Sequence, residues 1–344
     1  MYIAVICGGL SAERDVSISS GTGAARALRE RGHKVALVDL FLGDPSAVSD
    51  PRGSFTSDTK DTVYSVRETE PDLEIIRTQR GGSDVIGPGV IEICRVADVA
   101  FLALHGAEGE NGKLQACLDL YGVPYTGSGY LGSALAMDKE LSKVIFHSDG
   151  IPTPPGVTIR HGDTVPESIG FPCVVKPCSG GSSVGTSIVT EPEKLAAALE
   201  EAFSCDEAVL VEKYIRGREL TVGVMDGKAM AVIEIIPKSG FYDYKNKYQA
   251  GLTEEICPAP ISAEDTERVQ RLAERVYRAL RLDAYGRVDF LMDTADGELY
   301  CLEANTLPGM TPTSLIPQMA AAEGMDYGEL CERIIEVSLM KYKK

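Results

Sequence analysis

The segment at residues 286–305, GRVDFLMDTADGELYCLEAN, constrains the fold of this 344-residue chain more than any other part of it. It contains two runs that alternate apolar and polar residues on either side of a turn. Because alternate side chains of a strand share a face, Arg287 and Asp289 point together. Glu303 and Asn305 do the same on the second run. The pattern predicts an antiparallel hairpin with one face on a core and a polar opposite face.

The predicted hairpin brings two carboxylates together. If the turn is centred on Asp296, then Asp289 lies directly across from Glu303, with their Cβ atoms about 5 Å apart. Facing like charges destabilise a sheet unless something neutralises them, and a divalent cation that prefers oxygen ligands would do so, with Asn305 as a third oxygen. The alternative is a solvated outer face. The core side would then carry Val288, Phe290, Leu302 and Ala304.

A glycine- and serine-rich loop follows a predicted strand in PCVVKPCSGGSSVG. The strand delivers Lys176 to a loop that contains Gly180, Gly181, Ser182 and Ser183. Glycines let backbone N–H groups approach phosphate oxygens, and serine hydroxyls and a lysine add hydrogen bonds and charge. The loop is not a Walker A sequence. The alternative is a flexible surface turn.

Three further features are weaker signals. Residues 127–132 match GxGxxG, but no acidic residue ends a strand about twenty residues later, so a packing turn is favoured over a dinucleotide site. The run SGFYDYKNKYQAG is typical of a mobile lid or of an exposed polar loop. His105 ends a predicted strand, and Glu13 follows the first strand at the same sheet edge, where α/β proteins bind ligands. The alternatives are a structural histidine and an acidic residue at a helix start.

A length of 344 residues is too great for one small core and indicates two or three domains, and hydrophobic periodicity indicates their elements. The predicted strands cover residues 2–6, 35–40, 98–104, 123–126, 171–176, 209–214, 219–225 and 229–236. The predicted helices cover residues 21–31, 112–121, 134–148 and 195–203. Prolines at 152, 154 and 155 indicate a linker near the start of a second domain, and Asp226-Gly227 is a strong hairpin signal. The polar stretch 43–89 reads as a surface insertion with short strand candidates at 62–67 and 73–77.

Composition excludes several classes of protein. A net charge of −17 argues against a nucleic-acid-binding protein, which usually shows a basic face. No apolar run approaches the ~20 residues of a membrane span, and the N-terminus reads as a strand and not as a signal peptide. The nine cysteines contain no CxxC pair. They are expected to be reduced thiols in the cytoplasm.

The motifs together resemble the D-alanine–D-alanine ligase family of the ATP-grasp superfamily. The resemblance rests on GGLSAERDVSISSG, HGAEGENGKLQACLDLYGVPYTGSG, AMDKELSK, VVKPCSGGSSVG, VEKYIRGRELTV, FYDYKNKY, GRVDF and LEANTLPGMTPTSL. It covers nearly the whole chain outside the 43–89 insertion. It implies an α/β and α+β fold of three domains: an N-terminal parallel-sheet domain (1–127), then two ATP-grasp subdomains (128–211 and 212–344).

The resemblance also implies a chemistry: a ligase that uses ATP and one or two Mg²⁺ or Mn²⁺ ions to join D-alanines through an acyl phosphate, for peptidoglycan synthesis. It assigns nucleotide binding to Lys139, Lys176, Ser183, Glu212, Lys213, Tyr214, Ile215 and Glu219, with Lys247 on the γ-phosphate. It assigns the metal to Asp289, Glu303 and Asn305. It assigns catalysis and substrate binding to Glu13, His105, Ser182, Arg287, Gly309, Ser314 and Leu315, with Tyr242 and Tyr248 on a lid.

The chain departs from the family pattern at two positions. Gly180 stands where the family often has Glu, and Asn111 stands where Asp is common. Both departures concern hydrogen bonding near the predicted phosphate loop. The long insertion resembles the variants that join D-alanine to D-serine, whereas Leu315 looks like the D-alanine type. The acceptor therefore stays open between D-alanine and D-serine, and the resemblance implies a homodimer.

Overall fold

A computed structural model of the chain describes residues 1–59, 64, 66, 71–82, 84–181, 183–238 and 253–343, apart from the side chain of Ala107. The strands in these residues are β1 (Tyr2–Cys7), β2 (Lys34–Asp39), β3 (Val99–Leu102), β4 (Gly156–Arg160), β5 (Cys173–Pro177), β6 (Ser187–Val189), β7 (Ala208–Lys213), β8 (Gly217–Met225), β9 (Lys228–Pro237), β10 (Thr253–Ile256), β11 (Tyr285–Asp293) and β12 (Leu299–Asn305). The α-helices are α1 (Arg14–Glu30), α2 (Leu73–Arg80), α3 (Val90–Val96), α4 (Ala107–Glu110), α5 (Lys113–Leu120), α6 (Tyr130–Met137), α7 (Lys139–Ser148), α8 (Leu195–Phe203), α9 (Ala263–Ala279), α10 (Leu315–Ala322) and α11 (Tyr327–Met340). Across these described ranges, no helix has the length and apolar character required to cross a bilayer.

The first sheet is parallel, with the strand order β2-β1-β3. Its strands are continuous apolar runs because helices and the C-terminal part of the chain cover it. The predicted strand at 123–126 is reduced to one parallel bridge between Ala100 and Tyr125. Helix α11 returns from the C-terminus to pack on α1, so the two ends of the chain share one core.

Two antiparallel sheets make up the rest of the chain. One has four strands in the order β4-β7-β5-β6, and the other has five in the order β10-β9-β8-β11-β12. The predicted hairpin at Asp226-Gly227 is confirmed as the turn between β8 and β9. Both residues have a positive φ, 54° and 74°, as a two-residue turn of this kind requires.

The five-stranded sheet has one face in the core and one face on a cleft. On β11, Val288 and Phe290 are fully buried under α9, whereas Arg287, Asp289 and Leu291 alternate with them on the cleft side. The predicted pairing is confirmed, since Asp289 and Glu303 are direct partners across β11 and β12.

The prediction for Leu302 is wrong. Phe290 pairs with Cys301, so the register shifts by one residue after the Asp289–Glu303 pair. This bulge turns Cys301 into the core and leaves Leu302 beside Glu303 on the cleft. An extra residue in one strand reverses the side-chain alternation beyond it, and that change cannot be read from a period-two pattern.

Two helix predictions differ from the structure. Helix α1 begins at Arg14 and not at residue 21, and the mostly polar first two turns are buried with some of their polar side chains hydrogen-bonded. Ser17 Oγ, for example, donates to the Ala103 carbonyl at 2.7 Å. The helix predicted at 134–148 is two helices, because Asp138 leaves the helical conformation and caps α7.

One prediction for the 43–89 insertion is wrong. Residues 73–77 were expected to form a strand, but they lie in helix α2. The Asp72 carboxylate accepts the N–H groups of Glu74 and Ile75, which satisfies the donors at the start of that helix. The other strand candidate, 62–67, lies outside the described residues except at Tyr64 and Val66.

Candidate functional site

Two cavities meet in the cleft between the sheets. One, of about 460 Å³, lies between the four-stranded and the five-stranded sheets. The other, of about 440 Å³, lies where the first sheet meets the segment after β12. Lys139, Glu303, Gly180 and Gly181 line both cavities, and Lys139 Nζ lies 3.2 Å from Glu303 Oε2. A molecule in one cavity can therefore meet a molecule in the other at this ion pair.

The described site residues that were predicted all line one or both of these cavities, and Lys139 and Glu303 line both. The first, called the nucleotide cavity below, is lined by Lys139, Lys176, Ser183, Glu212, Lys213, Tyr214, Ile215, Glu219, Asp289 and Glu303. The second, called the amino-acid cavity below, is lined by Glu13, His105, Arg287, Asn305, Gly309, Ser314 and Leu315. Ser182, Tyr242, Lys247 and Tyr248 lie outside the described residues.

A buried carboxylate organises the cations of the nucleotide cavity. Glu212 Oε1 lies 2.5 Å from Lys176 Nζ, and Glu212 Oε2 lies 2.8 Å from Lys143 Nζ. Burial would raise the pKa of Glu212, but the two lysines outweigh it and lower that pKa. Burial opposes the charge of Lys176 too, yet the carboxylates of Glu212 and Glu303 raise its pKa. Lys176 therefore stays charged at the wall of this cavity.

Sequence reasoning missed Lys143. Its Nζ donates to Thr153 Oγ1 at 2.9 Å and to the Pro154 carbonyl at 2.7 Å, in addition to Glu212. Burial lowers its pKa more than Glu212 raises it. The signal was available, because Lys143 follows Lys139 by four residues on a helix and so lies on the same face.

The break between α6 and α7 positions Lys139. Asp138 accepts the Leu141 N–H at 3.0 Å, and Lys139 becomes the first residue of α7. The Lys139 N–H donates to the Cys178 carbonyl at 2.9 Å, and its Nζ donates to the Gly180 carbonyl at 2.9 Å. This lysine thus holds the glycine-rich loop at the mouth of both cavities.

The two departures from the family pattern fit their positions. Gly180 has a φ of +114°, which a residue with a side chain rarely adopts, and a Cβ there would meet nothing within 4 Å. Asn111 Oδ1 accepts the Lys113 N–H at 3.0 Å at the start of α5. An aspartate would accept the same bond, so the asparagine preserves the local geometry.

The predicted metal ligands fit a hard divalent cation. Asp289 accepts two hydrogen bonds from Arg287, at 2.9 and 2.8 Å, and one from Thr221 Oγ1 at 2.6 Å. Glu303, its partner across the two strands, forms an ion pair with Lys139. Among the described residues, no three His, Cys, Asp or Glu side chains cluster as a metal site. Two carboxylates and the Asn305 amide at the cavity junction match Mg²⁺, which usually takes few protein ligands and completes its shell with phosphates and water.

Glu13 stands where the first sheet faces the glycine-rich loop. It is the N-cap residue of α1. Its Oε2 lies 3.5 Å from the place a Cβ would take on Gly106 and 3.6 Å from the corresponding place on Gly181. Both are ordinary van der Waals separations, so the carboxylate lies against both loops. A carboxylate at a cavity wall is a natural partner for an ammonium group.

His105 is a buried connector between the first sheet and the segment after β12. Burial lowers its pKa, so the ring is neutral at pH 7. Nδ1 must carry the proton, because it bonds to the Leu307 carbonyl at 2.9 Å. Nε2 then accepts from Ser20 Oγ at 3.0 Å, and Ser20 Oγ accepts the Met310 N–H at 3.2 Å. These bonds hold residues 307–310 against the amino-acid cavity.

The turn before α10 forms the far wall of the amino-acid cavity. Ser314 Oγ accepts the Thr311 N–H at 3.0 Å, and a Cβ on Gly309 would come within 2.8 Å of that oxygen. A side chain at position 309 would crowd Ser314, so the turn keeps this shape beside the cavity because residue 309 is a glycine. Leu315 begins α10 beside it.

Glu110 also lines the amino-acid cavity, and sequence reasoning assigned it no role. Its Oε1 accepts the Gly106 N–H at 3.0 Å. Burial, and then the charge of Glu13, raise the pKa of Glu110 to about 8. Its position in HGAEGENG, five residues after the strand-end histidine, was the signal that could have identified it.

Family models match nearly the whole chain. The model described as D-ala D-ala ligase N-terminus matches residues 2–128, and the one described as D-ala D-ala ligase C-terminus matches residues 145–336. The D-alanine–D-alanine ligase of Pediococcus pentosaceus is 44% identical over 97% of each chain. That of Geobacter sulfurreducens is 42% identical, over 99% of this chain and 95% of the relative.

Solved structures agree with these matches. The crystal structure of D-alanine–D-alanine ligase from Bacillus anthracis has a TM-score of 0.77 and 35% identity, and it covers 100% of this chain and 99% of its own. The same enzyme complexed with ATP has a TM-score of 0.76, 33% identity and the same coverage. By fold, by sequence and by the residues at its cavities, this chain belongs to the D-alanine–D-alanine ligase family.

Proposed function

We propose that this chain uses ATP to join two D-alanines into D-alanyl-D-alanine for peptidoglycan synthesis. One observation carries the proposal: two cavities of similar volume, about 460 and 440 Å³, meet at Lys139 and Glu303 beside a glycine-rich loop. This arrangement suits transfer of the γ-phosphate onto a carboxylate in the neighbouring cavity. Positioning and charge neutralisation are the main contributions that a protein makes to phosphoryl transfer.

In the first step, a carboxylate oxygen of the donor D-alanine attacks the γ-phosphorus, and the bond to ADP breaks. Glu13 binds the donor's ammonium, and Lys139 and Lys176 bind phosphate oxygens. Asp289, Glu303 and Asn305 would hold one or two Mg²⁺ or Mn²⁺ ions, which when bound neutralise phosphate charge. The product is D-alanyl phosphate and ADP.

In the second step, the amine of the acceptor attacks the acyl carbon, the C–O bond to phosphate breaks, and the ammonium proton is lost. Arg287 and the Gly309 N–H lie on the amino-acid cavity, where they can stabilise the tetrahedral oxyanion. Ser314 and Leu315 line the same cavity, and they would contact the acceptor. The products are the dipeptide and inorganic phosphate.

The remaining assignments complete the proposal. Glu212, Lys213, Tyr214 and Ile215 surround adenine, Glu219 binds ribose, and Ser183 and Ser182 serve the phosphate loop. Tyr242, Lys247 and Tyr248 belong to a lid, with Lys247 on the γ-phosphate. The domains divide at 127/128 and 211/212, and the protein is a homodimer that binds no nucleic acid. It works in the cytoplasm, which agrees with ATP use and with nine free cysteines.

Phosphate release and product mass test the function directly. We expect phosphate release that requires D-alanine and Mg²⁺ together, and a product with the mass of D-alanyl-D-alanine. With D-alanine and D-serine at equal concentrations, the main product should still be D-alanyl-D-alanine. ATP hydrolysis that D-alanine does not accelerate, with no dipeptide formed, would refute the proposal. Exclusive D-alanyl-D-serine would move the chain to the D-serine branch.

Glu303→Ala tests the metal assignment within the same assay. We expect turnover to fall by at least ~100-fold, because a ligand that neutralises phosphate charge is lost. Glu298→Ala is the matched control, since Glu298 is an exposed carboxylate of the same hairpin. Both variants should melt cooperatively near the wild-type temperature. Substantial residual turnover in Glu303→Ala would contradict the assignment.

A further inference from the structure

The 43–89 insertion is anchored to the first sheet at several points. Thr56 forms an antiparallel bridge with Val35 on β2. Arg80, the last residue of α2, donates to the Phe41 carbonyl at 2.8 Å, and its guanidinium lies 4.2 Å from the centre of the Phe41 ring. At the far end, the Gly87 N–H donates to the Leu40 carbonyl at 2.7 Å. The described parts of the insertion on either side of residues 60–70 are therefore fixed to β2 and the segment that follows it.

Tyr64 is one of two described residues of the insertion that reach the amino-acid cavity. Its hydroxyl donates to Asp15 Oδ1 at 2.9 Å, and Asp15 is 1% exposed in the first turn of α1. Tyr64 and Val66 both line the amino-acid cavity. Glu13, the carboxylate that we assign to the donor's ammonium, lines the same cavity as Tyr64.

An anchored aromatic ring is a rigid wall. A tyrosine has two side-chain torsions, and a hydrogen bond to a buried carboxylate restricts them. A rigid wall excludes substituents that a mobile side chain would accommodate. One extra methylene in such a pocket changes selectivity by roughly 10- to 200-fold.

We propose that Tyr64 is a specificity-determining residue that limits the side chain of the donor D-amino acid to a methyl group. This inference rests on the proposed function, because it uses the assignment of Glu13 to the donor. The insertion then has a function in the reaction: it supplies one wall of the donor subsite, while Leu315 lines the opposite, acceptor end.

The test uses D-2-aminobutyrate, which carries one methylene more than D-alanine. Wild type, Tyr64→Ala and Tyr64→Phe are assayed with D-alanine and D-2-aminobutyrate in competition, and the order of residues in the dipeptide is read by fragmentation mass spectrometry. The donor becomes the N-terminal residue, so the two subsites report separately. We expect Tyr64→Ala to raise the ratio of N-terminal D-2-aminobutyrate to D-alanine about 10-fold, with no change at the C-terminal position.

Tyr64→Phe keeps the ring and removes the anchor, so the ratio should rise by a smaller factor. Arg80→Ala is the matched control, since it loosens the insertion away from the cavity and should leave the ratio at the wild-type value. The KM for ATP of each variant reports whether the fold is retained, and Tyr64→Phe decides the matter if Tyr64→Ala does not fold.

The outcomes separate this inference from the proposed function. If wild type forms no dipeptide, the proposed function fails. If wild type forms D-alanyl-D-alanine but the N-terminal ratio is the same in wild type and both Tyr64 variants, the proposed function stands and the inference is overturned. An equal rise in Arg80→Ala would also overturn it, because the effect would then come from the insertion's stability and not from the tyrosine wall.

Discussion

Glu212 has two buried cationic partners, and this residue-scale arrangement explains how a protein of net charge −17 holds positive charge for phosphates. The Glu212 carboxylate raises the pKa of both lysines and so opposes the effect of burial, and for Lys176, which lines the nucleotide cavity, the net pKa is raised. Lys176 lines the nucleotide cavity, while Lys143 Nζ contacts oxygens of Thr153, Pro154 and Glu212. Lys143 is therefore a structural partner for Glu212, and Lys176 is the lysine that our proposal assigns to the phosphates.

Replacing Lys143 tests this division. In Lys143→Met, Glu212 keeps one lysine, while the Thr153 hydroxyl and the Pro154 carbonyl lose their donor. We expect a loss of about 2 kcal/mol in the free energy of unfolding, measured by urea denaturation. Lys194→Met removes a lysine that is paired with Glu191 at the surface, and it should cost less than ~0.5 kcal/mol. Equal costs in the two variants would contradict the buried role.

At the scale of elements, the interruption between α6 and α7 positions a lysine that lines both cavities. Local periodicity predicts one helix, yet Asp138 adopts an extended conformation and starts a new one. The interruption places Lys139 at the first turn of α7, where its backbone and its side chain both bond to the glycine-rich loop. The bulge after Asp289 has a comparable effect on β12, because it brings Leu302 and Glu303 together on the cleft side.

Asp138→Ala tests the contribution of the helix start. Loss of the cap should cost about 1 kcal/mol of stability. Because Lys139 would lose its fixed position, we also expect the KM for ATP to rise several-fold. Asp72→Ala removes an equivalent cap from α2 in the insertion, so it should cost similar local stability and leave the KM for ATP unchanged. Chemical denaturation and steady-state kinetics on both variants make the comparison.

At the scale of the whole molecule, the two ends of the chain stabilise one core. The Gly127 N–H donates to Ser338 Oγ on α11 at 3.0 Å, and Lys341 Nζ donates to the Gly127 carbonyl at 2.7 Å. Residues of β1 and α11 belong to the same buried cluster. The C-terminal helix therefore cannot detach without exposing the first sheet and, with it, the Glu13 side of the amino-acid cavity.

Glu110 gives the folded molecule a predictable pH dependence. Its pKa rises from 4.5 to about 8 on folding, so the folded state holds a proton that the unfolded state releases. The contribution of Glu110 to the free energy of unfolding is constant below about pH 4.5. As the pH rises toward 8 it destabilises the fold, by up to ~1.4 kcal/mol per pH unit, and above pH 8 the dependence ends.

Urea denaturation of the ligand-free protein between pH 5 and pH 8 measures this effect. The difference in unfolding free energy between Glu110→Gln and wild type should grow in favour of the variant as the pH rises, because the amide does not ionise. Glu13 and Glu303 oppose ionisation of Glu110, and Arg287 favours it. Glu193→Gln, at an exposed position, should show a flat difference. A flat difference for Glu110→Gln would mean that its carboxyl ionises normally.

The sequence alone determined the local features of this protein. Alternation in GRVDFLMDTADGELYCLEAN predicted that Asp289 faces Glu303, and Asp226-Gly227 predicted the hairpin, because strand period and turn conformation depend on neighbouring residues. The ordered motifs predicted the family. Helix α8 was predicted with its observed bounds, 195–203, because its apolar spacing is regular.

Only the tertiary structure decided which distant residues meet. The register shift at Leu302, the partners of Lys143, the return of α11 to the first sheet and the contact of Tyr64 with Asp15 all join residues that are far apart in the chain or override the local period. Such contacts depend on how three sheets pack together, and packing free energy is summed over the whole core. Local periodicity does not report the packing free energy. The sequence therefore predicted which residue types the site contains, but not which distant residues meet there.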